Sequence, residues 1–176
     1  MVDKSTSAFI SRWGELGRAW GMPRGAAQVH ALLIAADEPM DAETIAARLG
    51  IARSNVSTSL RDLRAQGVIR MAQSAPGSRR ELFVALDDPF EAAARIAAYR
   101  KARELDPATS ALRIAAKAAP KGAGRSRLAA YADLAEATGD WAEDMSALPK
   151  GPLKMMLKIG ARIADLLPQK KKKKKD

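Results

Sequence analysis

Apolar side chains recur at three- and four-residue intervals through most of this chain, the spacing of helices that bury one side. Phe9, Ile10, Trp13, Leu16 and Trp20 predict a first helix over Ser7–Trp20. Gly14 and Gly17 lower its intrinsic propensity, so it depends on packing against a neighbour. Gly21-Met22-Pro23 ends it, and Pro23 opens a second helix over Arg24–Ala36. Val29, Leu32 and Leu33 mark the buried side of that helix, and Asp37-Glu38-Pro39 stops it.

Asp41 stands where an N-cap belongs, and Glu43 falls in the first turn, where a negative charge complements the helix dipole. Ile45, Ala46 and Leu49 form the apolar stripe of this third helix. Gly50 permits a sharp turn, and Ile51 is expected to point inward and pin the third helix to the fourth. At 100° per residue, Val56, Leu60 and Leu63 of the fourth helix share an arc of about 60°. Ser54, Ser57, Thr58 and Arg61 fall on the opposite side, with Asn55 at its edge. Ala52 occupies the cap position of this helix without a side chain that can cap it, forgoing about 1 kcal/mol.

The period then changes. Val68–Met71 has the branched, apolar character of a strand, and in Glu81–Leu86 the residues Leu82, Val84 and Leu86 alternate with Phe83 and Ala85. Pro76-Gly77-Ser78-Arg79-Arg80 is a basic turn between the two strands. Helix, turn, helix and a two-stranded wing, in that order, make a unit suited to a duplex major groove. Hydroxyls, an amide and a guanidinium on the exposed side of the second of these helices suit base edges and phosphates. Arg53, Ser54, Asn55, Ser57, Thr58 and Arg61 are its candidate contacts, and Ser78, Arg79 and Arg80 are those of the wing.

After Asp87-Asp88-Pro89 the chain turns alanine-rich and helical, over Phe90 to about Glu104 and over Ala108–Ala119. Pro120-Lys121-Gly122-Ala123-Gly124 is a break. A further helix is expected over about Arg127–Leu148, with Leu134, Trp141, Met145 and Leu148 on one stripe and an interruption at Gly139-Asp140. Pro149-Lys150-Gly151-Pro152 breaks the chain again. Leu153–Leu167 is amphipathic, with Lys154, Lys158, Arg162 and Asp165 opposite a wide apolar arc.

The expected fold is mainly α with a small β wing: a winged helix-turn-helix domain plus flanking dimerisation helices. Its parts are an N-terminal helix for dimerisation or packing over 1–22, the winged DNA-binding domain over 23–88, a C-terminal helical region for dimerisation and a candidate effector site over 89–168, and a disordered lysine-rich tail over 169–176. The chain carries a net charge of +10, and six lysines and one aspartate put +5 of it in that tail. The rest is only moderately basic, so the pI does not argue specific recognition. With no cysteine, disulfides, zinc knuckles and iron–sulfur ligation are excluded. The N-terminus lacks the layout of a signal peptide, and no apolar run approaches the roughly 20 residues of a membrane span. A cytoplasmic location is the expectation.

Three blocks resemble the MarR-like winged-helix repressors, and within them the GbsR branch: Trp13-Gly14 through Trp20-Gly21-Met22-Pro23-Arg24; Ile51 through Leu63 followed by Gly67-Val68-Ile69; and the Pro76–Arg80 turn. They span roughly residues 9–86, about half the chain. The resemblance implies a transcriptional regulator, usually a homodimer on a pseudo-palindromic operator. It implies that Ser54–Arg64 enters the major groove, that Arg79 reaches toward the minor groove and that Arg80 lies near phosphate. The family often carries an acidic residue before the wing arginine, where this chain has Ser78, and a polar cap where it has Ala52.

Other chemistry finds little footing. His30 is the only histidine, so neither metal ligation nor a hydroxyl–histidine–carboxylate constellation can be assembled. No cofactor and no catalysis are expected. Trp13, Trp20 and Trp141 read as core or interface residues before they read as a cage for a quaternary cation. The partners expected are double-stranded DNA and a second copy, with an effector of unknown identity left open. A membrane is not expected, although a rival reading makes the protein an adaptor held at an anionic surface by its last helix and lysines.

Overall fold

The computed structural model describes residues 3–73, 77, 80–147, 151–152, 155 and 159. Seven α-helices and two strands are described: α1 Lys4–Ala19, α2 Arg24–Ile34, α3 Ala42–Leu49, α4 Arg53–Ala65, β1 Ile69–Ala72, β2 Leu82–Ala85, α5 Pro89–Arg100, α6 Asp106–Ala118 and α7 Ala123–Ala147. The fold is mainly helical with a small antiparallel wing, as the periodicity predicts. The chain divides into two compact units, Met1–Ala102 and Arg103–Asp176.

In the first unit, α1 starts three residues earlier than its apolar spacing indicates, because Asp3 accepts from the Ser5 and Thr6 amides at 2.9 and 3.0 Å. Phe9 and Trp13 stack tilted, with ring centroids 5.5 Å apart, and Ile10 is buried. Trp20 departs from the expected stripe. As the C-cap of α1 it is 63% exposed, and its carbonyl accepts a hydrogen bond from Arg100. The two glycines of α1 are buried against α2. A Cβ on Gly14 would come within 2.7 Å of the Gln28 side chain, and one on Gly17 would collide with the Ala27 methyl. The residues that weaken the helix in isolation are those that let it approach its partner.

One core joins the elements of this unit. Val29, Leu32, Ile45, Val56, Leu63 and Val68 are its largest fully buried side chains. Each contributes about 1.5–3 kcal/mol relative to exposure. Ser59 of α4 is also buried, with its hydroxyl facing the close approach of Gly25 on α2. The strands pair Ile69 with Ala85 and Met71 with Phe83, and β2 turns Phe83 and Ala85 inward. Phe83 also exchanges two backbone hydrogen bonds with Met40, at 2.9 and 3.0 Å. The strand edge is thereby tied to the residue just before the α3 cap. A lone bridging residue has no periodicity, and nothing in the sequence pattern marks it.

The predicted gap between helices near Glu104 and Ala108 is absent. The chain passes from α5 to α6 through a π-helical turn over Lys101–Leu105. Pro107 sits at the start of α6, where its missing N–H and its ring would disturb a regular ladder, and the wider turn before it accommodates both.

In the second unit, α6 packs on α7 through the buried Ala116 and Ala132. Arg113 holds Glu136 through two hydrogen bonds, one of them 2.9 Å long, and Asp133 at 2.7 Å. Helix α7 begins at Ala123, four residues before the predicted start, and runs through Gly139-Asp140 without interruption. Leu134 and Trp141, expected on one stripe, are 64% and 63% exposed in the single chain. Leu148, the predicted helix over Leu153–Leu167 apart from Met155 and Ile159, and the lysine tail lie outside the described residues.

Candidate nucleic-acid interface

The turn between α3 and α4 is built by backbone geometry. Gly50 adopts φ 65° and ψ 33°, a left-handed conformation that costs a residue with a Cβ about 1–2 kcal/mol. The amides of Gly50 and Ile51 both return to the Ala46 carbonyl, and Ile51 packs against the core. Asp41 caps the start of α3, accepting from the Thr44 amide at 2.8 Å. At the start of α4, Ala52 makes no side-chain cap. Its carbonyl accepts from Asn55 and Val56.

Helix α4 is sharply two-sided. Val56, Ser59, Leu60 and Leu63 are buried, while Arg53, Ser54, Asn55, Ser57, Thr58 and Arg61 are all exposed. All six predicted positions on this helix therefore face away from the core. Arg61 is 76% exposed, and its nearest carboxylate, on Asp62, is 4.0 Å away. An ion pair that long and that wet restrains the guanidinium little.

Of the three wing positions, Ser78 and Arg79 lie outside the described residues. Arg80 stands at the base of β2 with its guanidinium 3.3 Å from the Asp41 carboxylate. Hydrogen bonds from Thr44 hold the Asp41 carboxyl below the usual carboxylate range, and the charges of Arg80 and Arg53 add to the effect. Asp41 thus belongs to the same electrostatic neighbourhood as the first residue of α4 and the wing. The sequence marks it as a cap only.

A groove of about 460 Å³ runs between α4 and β2. Leu60, Phe83, Ala42 and Ala65 supply apolar lining, and Ser57, Arg61, Arg64 and Glu81 supply the polar groups. Arg64 is absent from the sequence-derived candidates. Its signal was its position seven residues after Ser57 and three after Arg61, which keeps it on one flank of the helix. Among the described residues it has no ion-pair partner within 4.0 Å.

Residues 20–81 match the MarR family. The unit built by α2, α3, α4, β1 and β2 has a winged-helix fold, and its segment 20–81 is similar to the MarR family. A solved structure of a transcriptional regulator is 24% identical and superposes with a TM-score of 0.66, over 81% of this chain and 95% of that one. A second, a transcriptional regulator from Thermotoga maritima, is 18% identical with a TM-score of 0.38, over 82% of this chain and 94% of that one. No curated protein matches the chain significantly.

The MarR-like unit contains the sole histidine on its buried side. His30 is 5% exposed, and burial pushes its pKa down to about 4, leaving a neutral imidazole. Among the described residues no group of three or more potential ligands could hold a metal ion, and no helix is long and apolar enough to cross a membrane.

Proposed function

We propose that the protein is a sequence-specific DNA-binding transcriptional regulator of the GbsR branch, acting in the cytoplasm as a homodimeric repressor on a pseudo-palindromic operator. The observation that carries this reading is the two-sidedness of α4. Four buried side chains anchor it, and an exposed face of hydroxyls, an amide and guanidinium groups is left for a partner. That is groove-reading chemistry, and it lacks the apolar patch expected of a protein-docking face. Arg61 reads a base edge, with Ser54, Asn55, Ser57 and Thr58 around it. Arg53 stands at the uncapped start of the helix, where unpaired amides and the dipole favour a backbone phosphate. The wing contributes Ser78, Arg79 and Arg80 toward the minor groove and backbone.

Dimerisation is supported by α7. Tyr131, Leu134 and Trp141 fall within an arc of about 80° and are 65%, 64% and 63% exposed in the single chain. Three large apolar groups on one helical face are costly to leave in water and suit a second copy. Pairing would set half-sites about one helical turn apart, roughly 34–36 Å.

Selection of bound duplexes from a random pool at stated salt, with residues 169–176 present and removed, tests the reading. A palindromic consensus that survives loss of the tail is the expected result. Arg61→Ala should relax preference at one base pair by about 1–3 kcal/mol. No enrichment above non-specific binding, together with co-sedimentation on anionic vesicles, would replace the regulator with the membrane-held adaptor.

A further inference from the structure

We infer that the groove between α4 and β2 is the seat of a DNA backbone phosphate, with Arg64 as its principal ligand and Glu81 as the acidic wall that limits how tightly any duplex is held. The inference rests on the DNA-binding reading and adds to it a site and two residues.

Three observations lead there. First, the groove is lined by two guanidinium groups, Arg61 and Arg64, against one carboxylate, Glu81. Its net charge is positive, and Leu60 and Phe83 supply apolar lining beside those charges. The two non-bridging oxygens of a phosphodiester fit planar guanidinium donors, which can engage them with two parallel hydrogen bonds. Second, Arg64 is exposed, and no described carboxylate lies within salt-bridge distance of it. Arg80 and Arg61, by contrast, each have an acidic neighbour within 4.0 Å. A cation on a groove wall with no internal counter-charge is poised for an external one. Third, Arg64 lies in the last turn of α4. A recognition helix meets base edges with its N-terminal residues, so a long side chain near its C-terminal end approaches the sugar–phosphate strand instead.

Glu81 lines the same groove, so the site opposes two attractive charges with a single repulsive one. Such an arrangement lowers affinity for every duplex equally and leaves base contacts to decide among them. The bland role for Arg64 is a cation at the C-terminus of α4, interacting with the helix dipole. That role requires nothing of DNA.

The test is a salt titration of full-length protein on the selected operator and on a scrambled duplex, for wild type, Arg64→Ala, Arg64→Lys and Glu81→Gln, with folding checked by circular dichroism. Arg64→Ala should reduce the slope of log affinity against log salt by about 0.9 on both duplexes, the release expected for one phosphate contact. It should leave the selected consensus unchanged. Arg64→Lys should restore the slope, since the charge is kept. Glu81→Gln should tighten both duplexes by a similar factor. An unchanged slope in Arg64→Ala, or an altered consensus, overturns the phosphate seat while the regulator reading stands. A wild type that binds neither duplex overturns both. A wild type that binds both equally, with Arg64→Ala still lowering the slope, removes sequence specificity but keeps the seat.

Discussion

The Asp41 carboxylate caps α3 through the Thr44 amide at 2.8 Å and, with its second oxygen, accepts from the Arg80 guanidinium at 3.3 Å. One side chain therefore both starts the first helix of the helix-turn-helix and holds the base of the wing. Arg80 is 74% exposed while Asp41 is 14% exposed, so the cap is the better shielded of the two interactions.

The two contributions separate by mutation. Asp41→Asn keeps a good cap and loses only the ion pair, which for so wet a partner is worth at most about 0.5–1 kcal/mol. Asp41→Ala loses both and should cost about 1 kcal/mol more, measured by urea unfolding at neutral pH. Because the Asp41 pKa is lowered in the folded chain, its charge stabilises above the ordinary carboxylate range. That stability is lost as pH falls through the lowered folded value. Equal stability of the Asn and Ala variants would mean that the cap contributes nothing.

Gly17→Ala should destabilise, against the usual trend. Alanine in a helix interior ordinarily gains about 1 kcal/mol over glycine, but here the added methyl meets that of Ala27. Overpacking of this kind costs about 1–3 kcal/mol, so the net change should be a loss. Gly124→Ala, where a Cβ meets nothing within 4 Å, should gain about 0.5 kcal/mol instead. Thermal unfolding of the two variants compares them directly, and the same sign for both would refute the close approach of α1 and α2.

Ala52→Ser supplies the missing cap of α4 and should raise unfolding stability by about 0.5–1 kcal/mol. A neutral result in a denaturant titration would indicate that the first amides of α4 already have partners.

His30, the only histidine in the chain, makes the acid response readable. Its folded pKa is pushed down to about 4, against an ordinary value of 6.5. Stability from the neutral imidazole is complete above about pH 6.5 and declines as pH falls from there to about 4, by about 3 kcal/mol in all. The two ring C–H resonances of this imidazole should move near pH 4 in a proton NMR titration. A midpoint near 6.5 would place the ring in water.

Local pattern made much of this legible. The period of 3.6 over α2, α3 and α4 located their buried sides, and Asp41 and Gly50 announced a start and a turn through chemistry confined to a few residues. The polar face of α4 followed from the same arithmetic, since Val56, Leu60 and Leu63 can be buried only if Ser54, Ser57, Thr58 and Arg61 face outward. Local pattern carries no information about pairwise distances between remote residues. Arg80 lies 39 residues from Asp41, Met40 bridges to Phe83, and Arg64 becomes notable only beside Glu81 and β2. Pattern also left the burial of some faces open. Leu134 and Trp141 have helical spacing but remain exposed in one chain, because periodicity records that a face is apolar and not what covers it.

Sequence alone thus determined the order of the elements, the winged-helix class and the two faces of α4, all set by backbone chemistry and burial over a few turns. Tertiary structure alone decided that Gly14 and Gly17 are sites of helix contact, that Asp41 is shared between α3 and the wing, and that Arg64 lines a groove. Those facts depend on residues far apart in the chain meeting in space, where close packing leaves room for a hydrogen and none for a methyl.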